Sequence, residues 1–260
     1  MCGIIAVVRR PSTRETPTAE AVIALVADQA VRLVSGATDL DDALTDIGRR
    51  LAEADRLLRG VPGLRLMLAD DGLGPRLVHH CDEILAAVVA EEERLERFGG
   101  LATAELERRN HALITVRDGV WAITRDRLRA AEVVAELSGG LRTAGALEAF
   151  LSVHQALSAI DRLEVRGRDS AGLHVLVDAH VLDMNDPFIG AEFERRSSDP
   201  NFGSGSVRLV DGVLSIVHKT AAEIGELGDN AAVIREGFAN DALLRAALAN
   251  DTARTLVLGH

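Results

Sequence analysis

The hydrophobic periodicity of the chain changes twice, and these changes limit the folds that the sequence can adopt. The first eight residues are a short apolar run rich in β-branched side chains, which predicts a strand buried on both faces. From about Thr16 to about Gly140, apolar residues recur at spacings of three and four, as in amphipathic helices. A further helical pattern over 144–165 is followed by segments that predict strands. The expected fold class is therefore α+β.

The middle of the chain predicts a series of helices with recognisable ends. Pro17-Thr18 is a start signal for the first helix, whose apolar stripe runs to Val34. Thr38-Asp39, followed by an acidic turn, is typical of the N-terminus of a second helix, and Gly60 suits its C-terminal end. These elements are expected to pack through their apolar stripes.

The rest of this helical stretch contains one element that the pattern leaves open. Residues 60–74 contain many turn-forming residues and predict a connector, which precedes a helix predicted over 76–97. Residues 113–124 fit either a hairpin turning at Asp118-Gly119 or part of one long helix that continues to Leu137. The long helix is favoured because the apolar side chains of this stretch lie near one helical face.

The C-terminal part of the chain alternates between helix and strand. Its predicted elements after the helix over 144–165 are a strand over 170–177, a hairpin over 207–220 turning at Asp211-Gly212, a helix over 239–250 and a strand over 255–260. We therefore predict two domains. Residues 1–12 and 141–260 form one of them, and residues 13–140 form an all-helical subdomain inserted into it.

The composition excludes several classes of protein. Lys and Arg number 29 against 40 Asp and Glu, and this acidic balance disfavours a nucleic-acid partner because phosphate binding needs a concentrated basic surface. Aromatic residues make up 3% of the chain, so rings that would stack on bases are scarce. The longest apolar-leaning run, 149–160, is shorter than the ~20 residues that span a bilayer. Two cysteines with no signal-peptide pattern before them predict a cytoplasmic protein without a disulfide framework.

One of the two cysteines lies at position 2, where it becomes the first residue if Met1 is removed. The α-amino group of Cys2 would then be positioned to act as the base for its own thiol. The following residue, Gly3, would allow a substrate to approach the backbone closely. The competing interpretation is that Cys2 is a small buried side chain at the start of a strand.

Three segments of the chain together resemble one enzyme family. Cys2-Gly-Ile-Ile-Ala6 is similar to the beginning of the class II glutamine amidotransferases, whose nucleophile is an N-terminal cysteine. Leu163-Glu-Val-Arg-Gly-Arg-Asp-Ser-Ala-Gly-Leu173 resembles the family segment L-E-Y-R-G-Y-D-S-A-G-L, and Val257-Leu-Gly-His260 resembles the strand that enters the family motif G-H-T-R-W-A. Within the family, the sequence of the second segment is most similar to the branch of glutamine–fructose-6-phosphate aminotransferase (glucosamine-6-phosphate synthase).

The resemblance implies a fold, a reaction and a set of site residues. The fold would be a partial Ntn-type αββα sandwich, interrupted by the inserted helical subdomain. Cys2 would attack the side-chain amide of glutamine, release ammonia and form a γ-glutamyl thioester that water hydrolyses. The ammonia would aminate a sugar-phosphate acceptor, fructose 6-phosphate, through downstream domains; no cofactor is implied, and a homodimer is possible. The residues that match the family positions supporting the site are Gly3, Arg166, Gly167, Asp169 and His260.

Two departures from the family pattern limit these expectations. Roughly 130 residues separate the first strand from the Arg166 segment, where the family has one short helix. The sequence also ends at His260, before the family's glutamine-binding Arg and Trp and its oxyanion donors, so we expect little or no glutaminase activity from this chain alone. Two alternatives remain open: a purine- or asparagine-pathway type of class II amidotransferase, and a non-catalytic, helix-rich interaction module.

Two further motifs are given structural interpretations. His79-His80-Cys81-Asp82 is not expected to bind a metal, because adjacent ligands seldom converge on one ion, and it is interpreted as the start of a helix. Gly203-Ser-Gly-Ser206 resembles a phosphate-binding loop but precedes a strand rather than a helix, so it is interpreted as an ordinary loop. We therefore predict no metal site.

Overall fold

The structure, a computed structural model, describes residues 3–34, 39–98, 101–163, 170–221 and 226–260. The chain divides into two compact units. We call Met1–Ser12 with Glu132–His260 the sheet unit, and Thr13–Ala131 the helical unit. The structural division lies at 131/132, whereas the sequence predicted a boundary at 140. The observed division falls within a continuous helix and not at the glycine pair that follows that helix.

The helical unit begins with short helices and continues with long ones. Thr18 caps the first helix by accepting a hydrogen bond from the Ala21 amide, and Asp39 caps the third in the same way through Asp41. The helices are α1 (Ala19–Val26), α2 (Gln29–Val34), α3 (Leu40–Leu58), α4 (Gly60–Ala69), α5 (Leu73–Phe98) and α6 (Thr103–Trp121), followed by a π-helical turn (Ala122–Leu128) that leads into α7 (Arg129–Ser138), most of which belongs to the sheet unit.

The prediction of a connector over 60–74 is wrong, because most of it is α4. Gly60 does end α3, with a φ of +68° that favours glycine, but the chain re-enters a helix at once. Pro62 is compatible with this helix because it lies in the first turn, where its missing N–H has no intrahelical partner. The long helix favoured over 113–137 is confirmed, and the alternative hairpin at Asp118-Gly119 is excluded.

The core of the helical unit is formed by the apolar stripes of α1, α3, α5 and α6. Gly119 of α6 packs so closely against α3 that an added Cβ would lie 2.7 Å from the Cβ of Leu51. An ion pair with a buried carboxylate joins α3 to the π-helical turn, where the Arg127 Nε donates to Asp55 at 2.6 Å. The fully buried side chains of this core include Val26, Leu44, Ile47, Leu51, Leu73, Leu77, Cys81, Ile84, Val116 and Ile123.

The sheet unit contains one antiparallel sheet of five strands in the described residues, in the order β1-β5-β2-β4-β3. The predicted hairpin is confirmed, and its turn residues Asp211 and Gly212 both have positive φ, as a type I′ turn requires. Two helices, α9 and α10, had not been predicted. The elements are β1 (Ile5–Val8), α8 (Ala144–Leu163), β2 (Ala171–Asp178), α9 (Pro187–Ser197), β3 (Val207–Val210), β4 (Val213–Thr220), α10 (Asp229–Ala239), α11 (Ala242–Ala247) and β5 (Arg254–Gly259).

Helices α8 and α10 cover one face of this sheet. α8 contacts β1, β2 and β5, while α10 contacts β2 and β4. The prediction that the first strand is buried on both faces is wrong, because β1 is an edge strand and Ile4 and Val8 are 84% and 75% exposed. The buried side chains between sheet and helices include Leu147, Phe150, Leu157, Leu173, Val175, Leu214, Ile216, Phe238 and Val257.

These features confirm a mixed α+β architecture, with a helical unit and a helix-covered antiparallel sheet. In the part of the chain that the structure describes, none of the helices has the length and apolar character needed to cross a membrane.

Candidate functional site

Three strand ends meet at one end of the sheet, where two of the predicted site residues, Gly3 and His260, lie. β1 begins there, β5 ends there and β2 begins there, because β5 pairs antiparallel with both neighbours. Gly259 of β5 lies opposite Ile5 on one side and Leu173 on the other. His260 extends the pairing, since its backbone exchanges two hydrogen bonds of 3.0 Å with Gly172. The first and last described segments of the chain are thus neighbours in space.

Two glycines at this sheet end permit unusually close packing. A Cβ added at Gly3 would lie 2.5 Å from Leu163 Cδ1, so the backbone before β1 touches the last described residue of α8. A Cβ at Gly172 would lie 3.0 Å from the His260 Nε2, so this imidazole lies over the start of β2. A side chain at either position would force a neighbour to move.

The structure therefore describes two of the six predicted site residues, Gly3 and His260, and brings both to the same end of the sheet. The other four, Cys2, Arg166, Gly167 and Asp169, lie outside the described residues. In sequence, however, Cys2 and Asp169 directly adjoin described residues, and Arg166 and Gly167 lie in the same short segment as Asp169. Cys2 is bonded to Gly3, and the segment 164–169 connects Leu163 to Ser170.

A second polar site was missed by the sequence interpretation. Arg196 of α9 donates two hydrogen bonds to Asp241, of 2.9 and 2.5 Å, and a third of 2.6 Å from its Nε to the Gly205 carbonyl. The His218 Nε2 lies 3.0 Å from the same carboxylate and donates to it. Asp241 also caps α11 by accepting from the Leu244 amide at 2.9 Å. The carboxylate thus ties α9, β4 and the start of α11 together, and Arg196 links the loop at Gly205 to the same group.

The electrostatics of this site explain why the carboxylate remains ionised. The Asp241 side chain is 0% exposed. Burial by itself would raise the pKa of Asp241, but hydrogen bonds from Arg196 and His218, with the charge of Arg196, hold this pKa well below its usual range. A fully paired carboxylate of this kind is suited to holding the fold together rather than to proton transfer.

A cavity of about 490 Å³ lies beside this cluster, and residues 204–206 of the loop 203–206 form part of its wall. Three amides of this loop donate hydrogen bonds within the protein. The amide of Gly203 donates to Asp199, that of Gly205 to the Val217 carbonyl and that of Ser206 to the Gly203 carbonyl. These amides are therefore occupied by the protein itself and are not directed at a ligand.

His79 and Cys81 differ from their sequence interpretation. They lie in the second and third turns of α5, which begins at Leu73, so the prediction of a helix start there is wrong. Cys81 is buried in the core of the helical unit, and burial together with the charge of Asp82 raises the pKa of its thiol to about 12. The two adjacent histidines instead lie beside Glu83, a residue that the sequence interpretation did not include. The spacing His-x-x-x-Glu would have revealed it.

A groove of about 590 Å³ separates α5 from α6 and the π-helical turn. Leu85, Val89 and Trp121 line it and are 36%, 38% and 62% exposed. The guanidinium of Arg125 lies 5.7 Å from the centre of the Trp121 ring. Exposed apolar side chains grouped in one groove are typical of a binding surface rather than of an ordinary helix face.

Comparison with known proteins identifies no relative of this chain. No protein-family model matches the chain, and neither a curated protein nor a solved structure matches it. The function must therefore be inferred from the residues of this chain and their arrangement.

Proposed function

We propose that the sheet unit is the glutaminase half of a class II glutamine amidotransferase, with an Ntn-type sheet and Cys2 as its nucleophile. The observation that carries the proposal is the meeting of three strand ends. The three segments that resemble the family are far apart in sequence, yet the described residues in or beside them, Gly3, Leu163, Gly172 and His260, lie at one end of one sheet. A resemblance that arose by chance would not be expected to have this spatial consistency.

The chemistry of the proposed reaction follows from a free N-terminal cysteine. After removal of Met1, the α-amine of Cys2 takes the thiol proton, and the thiolate attacks the side-chain carbonyl carbon of glutamine. The tetrahedral intermediate collapses as the amide nitrogen leaves as ammonia, which takes up the proton. Water then hydrolyses the γ-glutamyl thioester, giving glutamate and restoring the thiol.

The other predicted residues would support this centre. Gly3 leaves space beside the nucleophile, and Arg166, Gly167 and Asp169 would shape the turn that precedes β2. The proposed use of the ammonia is amination of fructose 6-phosphate to glucosamine 6-phosphate by domains outside this sequence. A purine- or asparagine-pathway acceptor is the alternative within the same class.

The two cysteines of the chain provide a direct test and its internal control. 6-Diazo-5-oxo-norleucine mimics glutamine, and its diazoketone alkylates a thiolate with loss of N2. We expect mass spectrometry to find Met1 removed and one adduct on Cys2, with Cys81 unmodified because its thiol is buried and its pKa is raised to about 12.

Two variants complete this experiment. Cys2→Ala should abolish the adduct, whereas Cys81→Ala should leave it unchanged. Retained Met1 or an unreactive Cys2 would contradict the proposal.

A second candidate function, an interaction module, is favoured by the groove of the helical unit. We propose that this groove binds an amphipathic helix with acidic flanks, because Arg125 lies beside Trp121 on its wall. Arg117, which pairs with Glu92 at 2.8 Å, adds a second cation against one lining carboxylate, Asp82. Trp121 is the only tryptophan of the chain, so its fluorescence reports on the groove alone.

The probe is a designed leucine-faced helical peptide with glutamate flanks. We expect a blue shift of the Trp121 emission on binding, loss of binding in Leu85→Asp and retention in Leu106→Asp, whose residue is 38% exposed but lies outside the groove. Equal binding of a lysine-flanked peptide, or equal loss in both variants, would exclude the acidic helix as occupant.

A further inference from the structure

Three potential metal ligands lie together on the exposed surface of α5. Glu83 follows His79 by four positions and His80 by three, so its carboxylate lies about one helical turn from both rings. The His79 Nε2 is 3.6 Å from one oxygen of Glu83, and the His80 Nδ1 is 3.2 Å from the other. One ligand atom of each residue lies within 4.8 Å of the other two.

These separations fit the coordination shell of a small divalent ion. Zinc binds histidine nitrogen and carboxylate oxygen at about 2.1 Å, which places two ligands of a tetrahedral site about 3.4 Å apart. Both nitrogen–oxygen distances in the cluster already lie within a few tenths of an ångström of that value. The side chains of His79 and Glu83 are 68% and 48% exposed, so they are free to change rotamer slightly. Such changes can bring the distance between the ligand nitrogens of His79 and His80 into the same range.

The chemistry of the donors selects the class of ion. Two imidazoles and one carboxylate favour zinc, nickel or copper over magnesium or calcium, which prefer shells of oxygen. Cys81 is excluded as a ligand because its sulfur is buried in the core, whereas metal binding needs an accessible thiolate. The ligand set is therefore His-His-x-x-Glu and not the His-His-Cys-Asp run in the sequence.

We propose that His79, His80 and Glu83 form a surface site for a divalent transition-metal ion, with water completing the coordination. Among the described residues, this is the one group of three or more such side chains that come this close together. The site lies in the helical unit, so it does not depend on the proposed glutaminase centre.

Isothermal titration of the full chain with zinc chloride tests the proposal. The protein carries Cys2→Ser in every sample, because an N-terminal cysteine can itself bind zinc. We expect saturable binding with one ion per chain, weakened at least about tenfold by His79→Ala and by Glu83→Gln.

Two matched controls separate this site from nonspecific binding. Asp82→Asn removes a carboxylate from the adjacent residue, and His111→Ala removes an exposed histidine from α6; neither variant should weaken the binding. Zinc should also shift the imidazole NMR signals of His79 and His80 before that of His111. An absence of saturable binding, or equal losses in the site variants and the controls, would overturn the proposal.

Discussion

Arg196 and Asp241 form a buried, two-pronged ion pair that joins α9 to the N-terminus of α11. Their side chains are 8% and 0% exposed, and the two nitrogen–oxygen distances are 2.9 and 2.5 Å. His218 of β4 completes the group from the sheet. The pair therefore links the sheet to the helices and loop that surround its end, and removal of one partner would leave the other as a buried charge without its counter-ion.

We expect Asp241→Asn to destabilise the sheet unit by about 3–5 kcal/mol, because Arg196 would remain buried without its counter-ion. The matched control is Glu192→Gln, which breaks the surface pair with Arg195, a side chain that is 66% exposed; this change should cost at most about 1 kcal/mol. Urea denaturation followed by far-UV circular dichroism measures both, while Trp121 fluorescence follows the helical unit separately. Equal effects of the two variants would show that the buried pair is not a major source of stability.

The same carboxylate makes stability depend on pH. Burial alone would raise the pKa of Asp241, but its hydrogen bonds and the charge of Arg196 lower the pKa by more. The pKa in the folded protein therefore lies well below the ordinary value, and folding favours the ionised form. This contribution is fully present above the unfolded pKa of about 3.9, and it is lost as the pH falls toward the folded pKa.

We expect the free energy of unfolding of the sheet unit to decrease between about pH 5 and pH 2. The decrease should be less steep in Asp241→Asn, because residue 241 then binds no proton in either state. Denaturation curves at several pH values measure this difference. Parallel slopes for the wild type and the variant would contradict it.

The elements that the sequence predicted correctly are those with local signals. Asp39 and Thr18 are capping residues at the start of apolar stripes, and Asp211-Gly212 supplies the positive φ values that a tight hairpin turn requires. The segment 60–74 was misinterpreted because a glycine that ends one helix and a proline that begins the next look like a loop. Glycine and proline signals in a short segment do not distinguish a turn from a helix–helix junction.

The Arg196–Asp241–His218 cluster was not predictable in the same way. Its three residues are more than twenty positions apart from one another and lie on a helix, a helix cap and a strand. Only the sheet register and the packing of α9 bring them together. A partial signal existed, since Asp186-Pro187 marks the start of α9, and Asp241 is a recognisable N-cap.

A glycine in α10 makes room for the His218 ring. A Cβ at Gly237 would lie 2.5 Å from the His218 Nδ1, and the ring is held in place by Asp241 on one side and by an edge-on contact with Phe238 on the other. We therefore expect Gly237→Ala to destabilise the sheet unit by about 1–3 kcal/mol, although alanine is the better helix former by up to ~1 kcal/mol.

Gly74→Ala is the matched control, because the nearest atom to its added Cβ is 4.0 Å away. This helical substitution should be neutral or stabilising. The cost of Gly237→Ala should also fall in a His218→Ala background, which a double-mutant cycle measures. An unchanged cost in that background would show that the ring is not the obstacle.

Cys81 should be protected from thiol reagents as long as the helical unit is folded. Its side chain is buried among apolar residues, and burial, with a smaller contribution from Asp82, raises the pKa of the thiol to about 12. At neutral pH the reactive thiolate is therefore almost absent, and the reagent has no access to the sulfur. In a Cys2→Ser protein, where Cys81 is the remaining cysteine, we expect a disulfide reagent such as DTNB to react rapidly only in denaturant.

A cavity in the same core should increase this reactivity in a predictable way. Ile84 is fully buried three residues after Cys81, and Ile84→Ala should destabilise the helical unit by at least about 2 kcal/mol. If the thiol reacts through unfolding of this unit, its rate should rise roughly 30-fold, because each 1.4 kcal/mol corresponds to a factor of ten. The exposed substitution Leu106→Ala should leave the rate unchanged. Rapid labelling of Cys81 in the native protein would show that α5 opens locally, without unfolding of the core around it.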